Sequence, residues 1–173
     1  HVSRTDPNFI RKLFEIEVSE IQEGIVEIKN IVREAGARTK MAVHSKLEDI
    51  DPIGACVGEQ GIRVKSIVNE VRNEKIDIIK WSEDPKVYIS NALSPAKIFS
   101  IKVDEEKKIA DVVVEDSQLS LAIGKEGQNV RLAARLTGWK IDIKSLSKCK
   151  DDLISSEEDN VEHCEQEDIL NEG

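Results

Sequence analysis

Two short stretches, "VGEQG" at 57–61 and "IGKEG" at 123–127, each set a pair of glycines three residues apart behind a branched apolar residue. Such a pair either closes a turn or lets a polymer backbone come close to a main chain that lacks Cβ atoms. The second possibility is phosphate chemistry. Each loop opens an apolar-periodic helix, whose first N–H groups and positive dipole end favour phosphate oxygens. The residues placed to take part are Val57, Gly58, Glu59, Gln60, Gly61, Arg63 and Lys65 around the first loop. Around the second they are Ile123, Gly124, Lys125, Glu126, Gly127, Asn129, Arg131 and Arg135. Val57 and Ile123 would line an apolar groove for bases, and the cations would follow the backbone.

A single GxxG is too short to choose between a turn and a clamp. The choice comes from the repeat: "ACVGEQGIRV" at 55–64 aligns with "LAIGKEGQNV" at 121–130 at an offset of 66. After each loop come a helix-like run and then the same strand, "KIDII" at 75–79 or "KIDIK" at 140–144. The chain is a duplicated unit. Asp77 and Asp142 recur inside these strands and are explained by the duplication alone.

The elements that must hold the loops follow from the pattern. In the first copy Asp6-Pro7-Asn8 supplies a helix start, with Phe9, Ile10, Leu13 and Phe14 behind it at helical spacing. "GIVEIKNIVRE" and "TKMAVHS" predict two strands joined near Gly36. A short apolar helix at 54–57 leads into the loop, and Val64, Ile67, Val68 and Val71 mark the helix after it. In the second copy Asp84-Pro85 opens a helix carrying Val87, Ile89, Ala92 and Leu93. "KIFSIKV" and "KIADVVVED" form a hairpin around Glu105-Glu106, and residues 119–123 form the short helix before the loop. Val130, Ala133, Ala134 and Thr137 continue past it, and "WKIDIK" closes the unit. The expected organisation is a first module at 1–82, a second at 83–150 and a tail at 151–173. Only Trp81-Ser82-Glu83 joins the modules, too short a linker for free tumbling.

Composition bounds the chemistry. Of 173 residues, 39% are hydrophobic and 34% charged, enough for a packed core under a solvated surface. Aromatics are 3%, so the core must be built from Ile, Val, Leu and Ala. The net charge of −9 is unevenly spread: residues 1–82 carry −1, residues 83–150 carry +2 and residues 151–173 carry −10. Bulk basicity therefore does not announce a nucleic-acid binder, and the case rests on local geometry. The blocks of Asp and Glu from 151 onward predict a disordered, solvating tail.

Cys56, Cys149 and Cys164 show no CxxC spacing, which argues against a disulfide framework or a structural zinc site and suits a reducing cytoplasm. Two adjacent ligands, His163 and Cys164, do not make a tetrahedral site. His1, His44 and His163 are scattered, with no nucleophile elbow, Walker loop or metal cluster, so an enzyme is not expected and no cofactor is called for. No apolar run approaches the roughly 18 residues of a membrane span. The N-terminal "HVSRTDP" lacks both an initiator Met and a signal-peptide pattern, so a piece of a longer protein is the expectation. Trp81 and Trp139 are expected to pack at sheet ends and between modules, and Cys56 to fill a small core position.

The order αββααβ, with GxxG between the second and third helices, resembles the type II KH fold. In that family the loop clamps the backbone of about four single-stranded nucleotides. The resemblance implies an α+β chain of two tandem type II KH domains, each a three-stranded sheet packed by helices. KH loops commonly carry a basic residue in the variable pair. Lys125 meets that pattern and Glu59-Gln60 does not, so the second loop is the expected stronger clamp, with Arg63, Lys65 and Arg38 compensating at the first.

The wording narrows the family further. "SRTDPNFIRKLFEIEVSEI", "GIVEIKNIVREAGARTKMAV", "DPIGACVGEQGIRVKSIVNEV", "EKIDIIKWSEDP" and "NALSPAK" resemble the NusA family of bacterial transcription elongation factors over about residues 2–146. That resemblance implies binding of single-stranded nascent RNA and effects on pausing, termination and antitermination. It implies RNA polymerase and other elongation factors as partners through the full-length protein, in the cytoplasm, as a monomer and without a membrane. A ribosomal or ribosome-assembly KH protein, and a protein-interaction scaffold with vestigial loops, are the alternatives.

Overall fold

The computed structural model describes residues 3–72 and 74–155. In the first half α1 (Pro7–Glu17) and a one-turn α2 (Ser19–Gln22) precede β1 (Val26–Glu34) and β2 (Arg38–Ser45). There follow α3 (Pro52–Val57), α4 (Ile62–Glu70) and β3 (Lys75–Lys80). The second half repeats the plan as α5 (Pro85–Ala92), β4 (Ser100–Asp104), β5 (Ile109–Val114), α6 (Leu119–Ile123), α7 (Gln128–Thr137) and β6 (Lys140–Ser145). Helix starts are set by side chains: Asp6, Asp51 and Asp84 each accept from the N–H two residues on, and each is followed by Pro at the first helical position.

Each sheet has three strands, ordered β1-β2-β3 and β4-β5-β6. The first two strands of each pair antiparallel as a hairpin. The third returns across the helices to lie parallel to the middle strand. This mixed α+β plan, twice over, is the tandem KH architecture read from the repeat. The registers of the parallel pairs correspond, Arg38 opposite Lys75 and Ile109 opposite Lys140.

One face of the first sheet carries its own core, with Ile10, Phe14, Val18, Met41, Val43, Cys56 and Ile67 packed between α1, α4 and the strands. Its other face is covered by the second module. Ala42 and Ile79 join the cluster of Tyr88, Ile89, Leu93, Leu136 and Ala133, so one core crosses the junction. That is why β2 is buried nearly throughout rather than alternating. Lys40 is the extreme case: it is fully buried, and its Nζ donates to Asp77 Oδ2 at 2.9 Å and to the Ser94 carbonyl at 2.9 Å. Burial drives its pKa below the usual lysine value, against the pull of Asp77. Asp142, the repeat's counterpart of Asp77, lies exposed on a sheet face with no module stacked on it.

Three expectations are corrected. Val87 is 45% exposed, and Tyr88 takes the buried position of α5 because its ring faces the junction. Strand β4 begins at Ser100, leaving Phe99 exposed. In α7 the buried face is Asn129, Leu132, Ala133 and Leu136, one residue out of phase with the expected Val130, Ala133, Ala134 and Thr137. Residues 146–155 are helical, and Lys144 reaches Asp152 at 3.6 Å. Most of the acidic segment, from 156, lies outside the described residues, as do His163 and Cys164.

Candidate nucleic-acid interface

The two loops have the same backbone. Gly58 has φ 78°, ψ 171° and Gly124 has φ 79°, ψ 173°; Gln60 (52°, 24°) matches Glu126 (55°, 28°), and Gly61 (75°, 16°) matches Gly127 (74°, 13°). Three of the four residues thus sit at positive φ, which costs a side chain energy but not glycine. Internal bonds hold the turn: the N–H of the second glycine donates to the carbonyl of the first, at 3.1 Å in one loop and 3.2 Å in the other.

The glycines of a pair do different jobs. A Cβ on Gly124 would sit 2.7 Å from the backbone nitrogen of Asn129, and one on Gly58 would sit 2.7 Å from Cγ of Arg63. The first glycine therefore admits the following helix, not a ligand. A Cβ on Gly127 would meet nothing within 4 Å and one on Gly61 only the flexible end of Lys65 and, at 3.9 Å, a methyl of Val64. The second glycine is the one with open space before it.

The flanking positions also correspond. Lys65 Nζ donates to the Gln60 carbonyl at 3.2 Å, and Arg131 Nη1 donates to the Glu126 carbonyl at 3.1 Å. A cation from the first turns of each helix thus folds back onto the loop. Val57 and Ile123 are half-buried and belong to neither core. Glu59, Gln60, Lys125, Glu126 and Arg135 are exposed at or near the loops.

Two expected contact residues are tied up inside the protein. Asn129 is fully buried, its Nδ2 donating to the carbonyls of Leu93 (3.0 Å) and Ala122 (2.9 Å), so it presents nothing to a ligand. Arg63 occupies the same place in the first copy. Its Nη1 donates to the Ala55 carbonyl at 2.6 Å and to Glu20 Oε2 at 2.8 Å, and its compensating charge is largely spent. Arg38 is likewise held by Asp77 at 2.7 Å. At position 63 or 129 the side chain satisfies a carbonyl at the end of the preceding helix. The signal was legible as a polar residue on the buried phase of its helix, three or four before Leu132, Ala133 and Ile67.

Sequence reasoning missed Glu34. This first-module carboxylate accepts from Arg131 Nε at 2.7 Å and from Gln128 Nε2 at 3.0 Å, at the start of the second loop's helix. Arg131 and then Gln128 hold the Glu34 carboxyl below the usual carboxylate range, and Glu34 in turn raises the Arg131 pKa. Asn30 adds a bond to the Leu136 carbonyl at 2.9 Å. Also unforeseen is Glu74, fully buried, which accepts from Arg33, from Thr39 at 2.6 Å and from the Gly36 N–H at 2.8 Å, fixing the first hairpin. Among the described residues no three His, Cys, Asp or Glu side chains group to hold a metal ion, and no helix is long and apolar enough to cross a membrane.

This geometry can be set against known proteins. Residues 4–81 match the NusA-like first KH domain and residues 85–151 the NusA-like second KH domain. The chain belongs to the NusA family. It is 58% identical over 150 residues to the transcription termination/antitermination protein NusA of Halalkalibacterium halodurans, covering 87% of this chain and 39% of that one. The protein of the same name from Bacillus subtilis is 56% identical over 151 residues (87% and 41%), and that from Thermus thermophilus 54% over 140 residues (81% and 36%). The chain thus spans about 40% of the length of these NusA relatives. The crystal structure of APE1850 shares the fold, with TM-score 0.58 at 24% identity over 80% of this chain and 97% of that one.

Proposed function

We propose that the chain is the RNA-reading part of a transcription termination and antitermination factor, binding single-stranded nascent RNA through both modules. The first module comprises residues 1–82 and the second 83–150. The observation that carries the reading is the pair of loops, alike in the dihedrals of both glycines and of Gln60 and Glu126, each opening a helix of at least nine residues beside a half-buried apolar residue. Phosphates would lie against Gly61 and Gly127, the glycines with open space, within reach of Lys65 and Lys125. Bases would rest on Val57 and Ile123, with their edges toward the outer edges of β3 and β6, which pair with no further strand among the described residues. NusA relatives supply the transcription context; contact with RNA polymerase and other elongation factors belongs to the longer protein, in the cytoplasm, with the factor acting as a monomer.

Titration with a twelve-nucleotide single-stranded RNA tests this. Binding should weaken with salt at a slope of about −0.7 for each phosphate contacted. Gly61→Asp with Gly127→Asp should remove most of it, because a carboxylate then faces each phosphate. A protein scaffold with vestigial loops would show no salt-sensitive binding in either form.

A further inference from the structure

Beside the linker that joins the modules, at the C-terminal end of β3, lies a cleft of about 450 Å³ lined by Lys29, His44, Lys80, Trp81, Ser82 and Glu83. Trp81 is held as a continuation of β3 by its N–H, which donates to the Val43 carbonyl at 2.8 Å. Trp81 is only half-buried and forms part of the cleft wall. His44 meets it edge-on with ring centroids 5.3 Å apart, and Lys29 Nζ stands over it at 4.8 Å. Tyr88, buried at 6.5 Å, braces the ring from the second module. Lys80 is exposed and has no ion pair among the described residues, whereas Lys29 is shared with Glu27 at 3.4 Å. Glu83 is the carboxylate on the rim.

A fixed aromatic ring with the mobile Lys29 ammonium over it, and Lys80, a carboxylate and a hydroxyl lining the same cleft, suits a nucleotide whose base displaces that ammonium from the ring. The ring takes a base by stacking, the ammonium groups take the phosphates either side, and Glu83 can accept from an exocyclic amino group. An acidic peptide would find the cations but leave the ring and Glu83 unused. The cleft lies at the C-terminal end of β3, the strand whose outer edge bounds the proposed first groove. We propose that it is a further single-stranded RNA subsite, in which one base stacks on Trp81 and its phosphates lie on Lys29 and Lys80. The proposal rests on the RNA reading of the loops.

The test uses the whole chain and a twelve-nucleotide oligoadenylate. In a Trp139→Phe background, where Trp81 is the one indole left, the oligonucleotide should quench its fluorescence and a four-nucleotide one should do so far less. Trp81→Leu keeps apolar packing at the junction but should weaken twelve-nucleotide binding about tenfold, while Trp81→Phe should stay within about threefold of the native affinity. Lys80→Gln, at an exposed site, should lower the salt slope by about one and decides the matter if Trp81→Leu fails to fold. Full affinity in Trp81→Leu, an unchanged slope in Lys80→Gln, or stronger quenching by a polyglutamate peptide than by the oligonucleotide would each overturn the subsite. If loop variants still lose binding in that case, the RNA reading stands without it; if no variant and no native chain binds, that reading fails as well.

Discussion

The two GxxG loops share a backbone but not an electrostatic setting. In the first, Arg63 is spent on Glu20 and the Ala55 carbonyl, and Lys65 is the cation left over a Glu59-Gln60 pair. In the second, the place of Arg63 is taken by a buried Asn129, Lys125 has no ion pair among the described residues, and Arg131 is pinned to Glu34 of the other module. The sequence comparison of one basic loop with one acidic loop is therefore too coarse. Counting the cations that other side chains have not already neutralised, the second loop still leads, through Lys125 and Arg135, by a smaller margin. Loop shape is set by glycine and turn bonds, whereas loop charge is set by neighbours far away in sequence.

The largest expected effect separates the two glycines of a pair. Gly124→Ala should destabilise the fold by about 2–3 kcal/mol in urea unfolding, since its φ and ψ suit glycine alone and the methyl would press on the Asn129 backbone. Gly127→Ala, with open space before it, should cost about 1 kcal/mol. Equal losses would erase the division of labour. Next, replacing Lys125-Glu126 by two Asp should lower the RNA salt slope by about one, while replacing Glu59-Gln60 by two Asp should leave the slope nearly unchanged. Equal changes would mean the loops contribute alike.

A smaller effect sharpens the role of the second module's neighbour. Glu34→Ala should cost about 0.5 kcal/mol of stability, because the pair with Arg131 is partly open to water, and should strengthen RNA binding at low salt by freeing that guanidinium. The smallest concerns pH. The Glu34 carboxyl is held below its ordinary value of 4.5, so the bridge contributes fully above that value and is lost as the pH falls through the lower folded-state pKa. Acid unfolding of Glu34→Gln should begin closer to that of the native chain than their neutral-pH stabilities suggest.

Much of the fold was legible because duplication supplied its own control. The glycine pairs, the Asp-Pro helix starts and the alternating strands recur in register, and local rules of capping and periodicity suffice to place them. What local rules cannot see is a second module lying on the first sheet. Lys40, Asp77 and Ala42 read as an ordinary one-sided strand pair until α5 and α7 cover them, and Glu34 reads as a strand-end charge until Arg131 reaches it. The glycine pairs were legible as turns, and Val57 and Ile123 as apolar residues beside them. What was not legible is that Arg63 and Asn129 bond carbonyls of the preceding helix, although their helical phase points inward.

The central claim is that a junction with a shared core sets both loops into one RNA-binding surface. Nuclease footprinting of a single-stranded RNA about twenty nucleotides long on the native chain tests it most directly. Two four-nucleotide clamps held rigidly together should protect a continuous stretch of at least about eight nucleotides, shortened when Gly127→Asp disables the second loop. Protection of only about four nucleotides, unaffected by that substitution, would contradict it.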